Sequence, residues 1–305
     1  MPETKGRKRG WSFLPLLLAL TMVAAACGDG DGADQAQDTT ATTALPVPQF
    51  AAGTTMAAFQ QKGKIIVGTK FDQPLFGLKN PTNDEIEGFD VEIAKLIAEG
   101  IFGEGAAEGK VRFVETPSKV RETVLRQGRV DIVAATYTIN DERKQQVDFA
   151  GPYYVAGQDI MVRSDEDGIA SVDDLNGRRV CSVQGSTSID NVREQAPQAD
   201  LSITFDLYSL CAEALKDGRV DAVSTDNGIL AGLVQSSDGA LKLVEAPFTE
   251  EPYGIGLKRG DDAFRTFIND RLEEIVESGE WEEAFEATVG QVISEVPEPP
   301  AVDRY

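Results

Sequence analysis

The 305 residues contain no histidine, three cysteines, and only 29 basic residues against 51 acidic ones. Without histidine there is no Ser-His-Asp or Cys-His catalysis and no His-ligated zinc, and so few cysteines do not make a metal site. No cofactor or metal is expected, and an enzyme reading starts at a disadvantage. The shortage of positive charge, a net −22, works against nucleic acid or anionic lipid as a partner. Its plainest meaning is a solubilising surface, against which any cationic pocket stands out. What the chain does have is 41% hydrophobic residues, enough to fill one or two lobes.

Lys5, Arg7, Lys8 and Arg9 precede an apolar run from Trp11 to Ala26 that ends in Ala24, Ala25 and Ala26. That order describes a secretory signal rather than a core helix. Cys27 follows where a bacterial lipoprotein signal is cut and its thiol diacylated, although Ala24 stands where such signals usually carry leucine. Plain cleavage beside a chance cysteine is the alternative. Removing 1–26 takes away four of the 29 basic and one of the 51 acidic residues, leaving 25 against 50 and a net −25. In an oxidising compartment Cys181 and Cys211 remain as an even pair suited to a disulfide. The alternative is two small buried apolar side chains.

Residues 28–49 are Gly, Asp, Gln, Ala, Thr and Pro without apolar period, so a flexible tether is expected over 27–58. The proline-rich end, VPEPPAVDRY, is expected to lie on the surface or fray. Between them strand and helix signals alternate. KIIVGT (64–69) reads as a strand and FDVEIAKLIAEGI as a helix with Asp90 as N-cap. KVRFVET is a strand, SKVRETVLRQG a helix from Ser118 to Gly128, and VDIVAATYT a strand. The order β-α-β-α-β implies a parallel sheet with crossovers. A second unit follows: strand RRVCSVQG, helix STSIDNVREQA, strand SITFDLY, helix SLCAEALKDG, strand VDAVST, helix DNGILAGLVQ. LRQGRVDIVAATYT (125–138) and LKDGRVDAVSTDN (215–227) echo each other. A last strand and a long amphipathic helix carry Phe264, Ile268 and Leu272 on one face, with Trp281 and Phe285 assigned to the core.

Two α/β lobes leave a cleft that the carboxyl ends of the strands face, where open α/β sheets place ligands. The residues at those ends are Lys70, Ser118, Arg121, Thr136, Thr138 and Arg143, then Gly185, Ser186, Thr187, Ser188, Thr225 and Asp226. Cations and hydroxyls on a strongly acidic chain suit an anion. An arginine fork takes a carboxylate through two charge-assisted bonds, and the QGSTS turn opens a helix whose N–H groups also favour negative charge. Asp226 is the one acid, suited to an ammonium, so the set describes an amino acid. Taken singly each residue has a duller explanation. Arg143 beside Asp141 and Glu142 could be a surface ion pair, and Asp226 could be a helix N-cap.

GFDVEIAKLIA (88–98), VDIVAATYTINDERKQQVDFAGPYY (130–154) and VDAVSTDNGIL (220–230) resemble the type 3 extracellular solute-binding proteins of amino-acid ABC importers. The resemblance covers about 64–290 and implies an α/β, two-lobed periplasmic-binding-protein (type II) fold with a hinged cleft. Lobe 1 would be 59–154 plus 251–305 and lobe 2 155–250, with hinges near 153–157 and 248–253. It makes Arg143, with Thr136 and Thr138, the grip on the ligand's α-carboxylate. Asp226 becomes the acceptor of its ammonium, and Gly185 to Thr187 the clamp from the other lobe, with Asp141 and Glu142 capping the arginine's helix. Lys70, and Ser118 spaced from Arg121 as Ser-x-x-Arg, resemble aspartate/glutamate binders. GTKFDQPLFGLK and the cysteine pair resemble actinobacterial glutamate-binding lipoproteins. The resemblance therefore implies a monomeric lipoprotein on the outer face of the cell membrane. It would bind glutamate or aspartate, with glutamine or asparagine as the alternative, and deliver it to the permease of an ABC importer. An amino-acid sensor signalling to a kinase and a dehydratase on the same fold are the other function classes.

Overall fold

The structure, a computed structural model, describes residues 47–305. The expected signal, Cys27 and the tether as far as residue 46 lie outside the described residues. The sequence suggests loose chain to residue 58, but order begins earlier. Thr54 caps a helix, α1 (Thr55–Lys62), whose Met56, Ala57 and Phe59 are buried. Gln60 pins it by donating to the carbonyls of Ile101 and Pro48, at 2.6 and 2.8 Å. The polar composition of 28–49 says nothing about the four apolar side chains that follow it, and Phe50 already packs edge-on against Phe267.

β1 (Ile65–Thr69) is followed by a small sheet of β2 (Asp72–Gln73), β3 (Gly77–Lys79) and β4 (Ile86–Glu87). Next come α2 (Phe89–Phe102), β5 (Val111–Glu115), α3 (Arg121–Arg126), β6 (Ile132–Val133) and α4 (Asp141–Lys144). β7 (Asp148–Ala156) and β8 (Gln158–Arg163) are separated by Gly157 alone, and lead to β9 (Val180–Cys181), α5 (Thr187–Gln195) and α6 (Tyr208–Lys216). β10 (Ala222–Asp226), α7 (Asn227–Gln235), β11 (Leu241–Leu243), β12 (Glu251–Leu257), α8 (Asp262–Ser278) and α9 (Glu280–Ala287) complete the order. The first large sheet runs β5-β1-β6-β12-β7, with β1 parallel to β5 and β6 as the β-α-β-α-β pattern requires, and β12 antiparallel to β6 and β7. The second runs β11-β8-β10-β9, in which β10 is parallel to β9 and antiparallel to β8. The chain crosses from one sheet to the other at Gly157 and returns over 244–250. These crossings are paired by Phe248 N–H donating to the carbonyl of Gln158 at 2.9 Å.

Each sheet has its own core. Phe89, Trp281 and Phe285 meet behind the first, with Phe89 edge-on to Trp281 at 5.5 Å and Trp281 stacked on Phe285 at 5.4 Å. Full burial of side chains of this size stabilises by about 1.5–3 kcal/mol apiece. The second core contains Met161, Val183, Leu230 and the disulfide joining Cys181 to Cys211 across a Cα separation of 5.6 Å.

The two echoing sequences fold alike. α3 and α6 end on left-handed glycines, Gly128 (φ 64°) and Gly218 (φ 70°). The aspartate two residues after the following arginine then takes a strand N–H: Ile66 donates to Asp131 at 2.7 Å and Arg179 to Asp221 at 2.9 Å. The strand expected over 202–208 does not form as a ladder; only the isolated bridges Arg179–Asp200 and Val183–Phe205 occur. Asp200 Oδ1 accepts the N–H of Ser202 at 3.0 Å, a local turn that draws this donor away from β9. The carboxyl end is also better fixed than its prolines suggest. Asp303 N–H donates to the carbonyl of Gly151 at 2.8 Å, and Phe149 N–H to the hydroxyl of Tyr305 at 2.8 Å. The tail so covers donors and acceptors that β7 would otherwise leave open as an edge strand.

Candidate ligand-binding site

The parallel strands of the first sheet end toward the second sheet, and the cleft residues hang from those ends. Lys70, one residue past β1, is 2% exposed and donates to Ser118 Oγ at 2.7 Å. Burial, and next the positive charge of Arg121, lower its pKa to about 7. Arg121 is equally buried. Its guanidinium donates to the carbonyls of Ala135 and Thr136 at 3.0 and 3.2 Å and lies 4.1 Å from the Tyr137 ring centre. Thr136 holds a positive φ of 45°, a costly setting for a β-branched residue. Its N–H donates to Asp90 Oδ2 at 2.8 Å and its hydroxyl to Gln73 at 3.1 Å. Asp90 is therefore not the expected N-cap of α2. Gly88 occupies that position, and Asp90 lies buried beneath Thr136, also accepting from Tyr153 at 2.6 Å. Burial raises its pKa to about 7.

Arg143 sits on the single turn α4, which is capped by Asn140: the amide oxygen accepts Arg143 N–H at 2.8 Å. Asp141 and Glu142, expected to cap, instead occupy the first turn, where their charge complements the helix dipole. The arginine is 7% exposed; Nη1 donates to the Thr138 carbonyl at 2.7 Å and Nε lies 3.7 Å from Glu122. Burial, and next Arg121, bring its pKa down to about 10. Thr138 donates its hydroxyl to Glu251 at 2.8 Å.

From the second sheet, Gly185 (φ 75°) approaches so closely that an added Cβ would sit 2.6 Å from Lys119 Cα. Its carbonyl accepts from both Arg121 (3.4 Å) and Arg143 (3.3 Å). Ser186 caps α5 by accepting Ile189 N–H at 3.2 Å, Thr187 donates to Glu251 at 2.8 Å, and Ser188 pairs with Thr225 at 3.1 Å. Asp226 stands at the N-cap position of α7, yet its carboxylate makes no capping bond. Oδ2 accepts from Tyr253 at 2.5 Å, while Oδ1 is buried without a hydrogen-bond partner among the described residues. Burial, and next Glu251, raise its pKa to about 7. A buried acceptor with no donor is costly unless something supplies one.

Ser118, Arg121, Thr136, Thr138, Ser186, Thr187, Thr225 and Asp226 all line one cavity of about 10 Å³ between the sheets. Ser188, Tyr208 and Ile229 complete its wall. Lys70 stands behind Ser118. Arg143 and Gly185 face an adjoining cavity of about 230 Å³, shared with Glu122 and Asn140. Sequence reasoning missed Tyr253 and Glu251, which touch the named residues from the amino end of β12. The signal was available: a strand that returns from the second sheet can join the first antiparallel, which brings its amino end to the cleft. Among the described residues no group of acids and cysteines has metal-site geometry, and no helix is long and apolar enough to cross a membrane.

A buried cationic and hydroxyl surface facing one open carboxylate oxygen, between two α/β sheets, defines a small-molecule binding protein. Residues 65–291 match the bacterial extracellular solute-binding proteins, family 3, and the chain belongs to that family. It is 44% identical over 232 residues to the glutamine-binding protein GlnH of an ABC transporter of Bacillus subtilis, covering 76% of this chain and 83% of that one. It is 37% identical over 295 residues to the glutamate-binding protein GluB of Corynebacterium glutamicum, covering 93% and 92%. Among solved structures, an ancestral arginine-binding protein bound to glutamine superposes with a TM-score of 0.69 at 38% identity, covering 75% of this chain and 98% of that one. The architecture is the type II periplasmic-binding-protein fold.

Proposed function

We infer that this protein binds an acidic amino acid, glutamate or aspartate, between two lobes and presents it to the permease of an ABC importer. The observation that carries this is the buried charge pattern: Lys70, Arg121 and Arg143 on one side and the open Oδ1 of Asp226 on the other. Arg143, with Thr136, Thr138 and the turn from Gly185 to Thr187, would take the α-carboxylate. Asp226, steadied by Tyr253 and with Thr225 beside it, would take the ammonium. Arg121, Ser118 and Lys70 would take the side-chain carboxylate. Two carboxylates and one ammonium would answer the three cations and the one buried carboxylate oxygen left without a donor among the described residues, that of Asp226, since Asp90 and Glu251 are already bonded to Thr136, Tyr153, Thr138 and Thr187. A cationic side chain would meet Lys70 and Arg121 directly.

The proposed lobes are 59–154 with 251–305, and 155–250. The crossings at Gly157 and 244–250 would act as hinges, because the present cavity of about 10 Å³ is the size of a single water. Closure over the ligand is then the binding step. Acylation at Cys27 would hold the protein, as a monomer, on the outer face of the membrane. The proposed chemistry of the cleft is binding: its one open acid would be occupied by the ligand's ammonium and so not free for acid–base work. The amide reading has one specific support: Lys70, with its pKa near 7, also suits a neutral acceptor, and the Bacillus relative is named for glutamine. Isothermal titration against glutamate, aspartate, glutamine, asparagine, arginine and lysine decides. We expect glutamate or aspartate to bind most tightly, and tight arginine or lysine binding with none for glutamate refutes the proposal.

A further inference from the structure

Glu251 is a buried acid that the ligand reading does not use. It is the first residue of β12, paired in register with Ala156 of β7, and is 2% exposed. Among the described residues no cation lies within ion-pair distance of it. Its carboxylate is satisfied by neutral donors drawn from three places. Oε2 accepts from Thr138 Oγ1 on the first-sheet side (2.8 Å) and from Thr187 Oγ1 at the start of α5 on the second-sheet side (2.8 Å). Oε1 accepts from Asn191 Nδ2, one turn further along α5 (2.9 Å), and from Thr249 Oγ1 on the return crossing (2.9 Å).

We propose that Glu251 is a closure latch: a carboxylate fixed beside the crossing that joins the two halves only when they meet. Thr138 shares its sheet, through the bridge from Thr138 to Tyr253, so that bond survives opening. Thr187 and Asn191 ride on α5 and are lost when the halves part. Both are charge-assisted bonds, about twice as strong as neutral ones. Both are also made without any ligand atom, so the latch biases the halves toward closure in the ligand-free protein and slows release in the bound one. Glu251 is thus a positioning residue, acting on the cleft through Thr138 and Thr187. The inference rests on the reading of the cleft as a hinged trap.

The test uses the full chain carrying Glu251→Ala and, separately, Asn191→Ala, which leaves every proposed ligand contact in place. Small-angle X-ray scattering of ligand-free protein reads closure, and stopped-flow binding of the ligand found by titration reads the rates. Each variant is expected to give a larger ligand-free radius of gyration than wild type. Dissociation should be roughly tenfold faster or more for Glu251→Ala, with association changed by less than about twofold. A variant that loses thermal stability while scattering and dissociation stay at wild-type values shows a merely structural role and overturns the latch. If wild type binds no amino acid, the functional reading fails, and the ligand-free scattering alone decides the latch. There too, no difference from wild type overturns it.

Discussion

Asp226 and Lys70 each have a pKa near 7 for opposite reasons, and a ligand perturbs them in opposite directions. Asp226 is raised from 3.8 by burial and Glu251, and Lys70 lowered from 10.5 by burial and Arg121. An ammonium against Asp226 favours the carboxylate and lowers its pKa, so protons are released. A side-chain carboxylate near Lys70 favours the ammonium and raises its pKa, so protons are taken up; Asp90, also near 7, shifts the same way. At pH 7 each group is near half-protonated, so each contributes up to about half a proton. Glutamine binding should therefore release protons, while glutamate binding sets uptake at two groups, Lys70 and Asp90, against release at one and should take up protons on balance. Titrations in buffers of different ionisation enthalpy measure this, and equal proton exchange for the two ligands removes Lys70 from the side-chain site. At this scale much of the cleft was legible, because Ser118, Arg121, Thr136 and Asp226 follow strands the sequence marks. What was hidden is direction. Nothing local says that Arg143 turns toward the Gly185 carbonyl and Glu122, or that Asp226 rejects its capping role for Tyr253, since both depend on groups more than twenty residues away.

Among the elements, the disulfide makes the firmest stability prediction. It ties β9 to α6 across a separation of 30 residues, and both cysteines are fully buried. Loop-closure entropy puts its contribution at about 3–4 kcal/mol, with cavity loss added in a Cys211→Ala variant. Thermal melts with and without reductant should show a clear drop in midpoint on reduction; coincident melts would mean that the thiols pack as well free as joined. β1, α2, β5 and α3 were legible from period alone. The failures share one cause. At 202–208, at Asp90, at residues 54–58 and in the tail from Asp303 to Tyr305, the decisive partner is a backbone group or side chain that the local pattern does not contain. Composition put the proline-rich tail at the surface, yet did not show that it is fixed there, with Lys144 and Arg265 holding the Tyr305 ring between them at 3.8 and 4.7 Å.

The whole molecule sets how a ligand arrives. The chain carries −22, and the three cations proposed to hold the ligand are each nine-tenths or more buried, while the exposed Lys119 at the cleft is paired with Asp206, so an approaching solute senses the acidic exterior before it senses Lys70, Arg121 or Arg143. For glutamate, which bears a net −1, that far field is repulsive, and salt that shortens the Debye length to about 8 Å at 0.15 M removes most of it. Once inside, the same ligand meets cations in a poorly screened interior, where salt matters much less. Association of glutamate should thus speed up as ionic strength rises from about 0.01 to 0.15 M, with dissociation almost unchanged. Glutamine, neutral overall, should show neither effect. Stopped-flow rates across that salt range give the answer. If glutamate association slows as salt is added, the cleft cations reach beyond the protein surface and steer the ligand in, and burial has not hidden them.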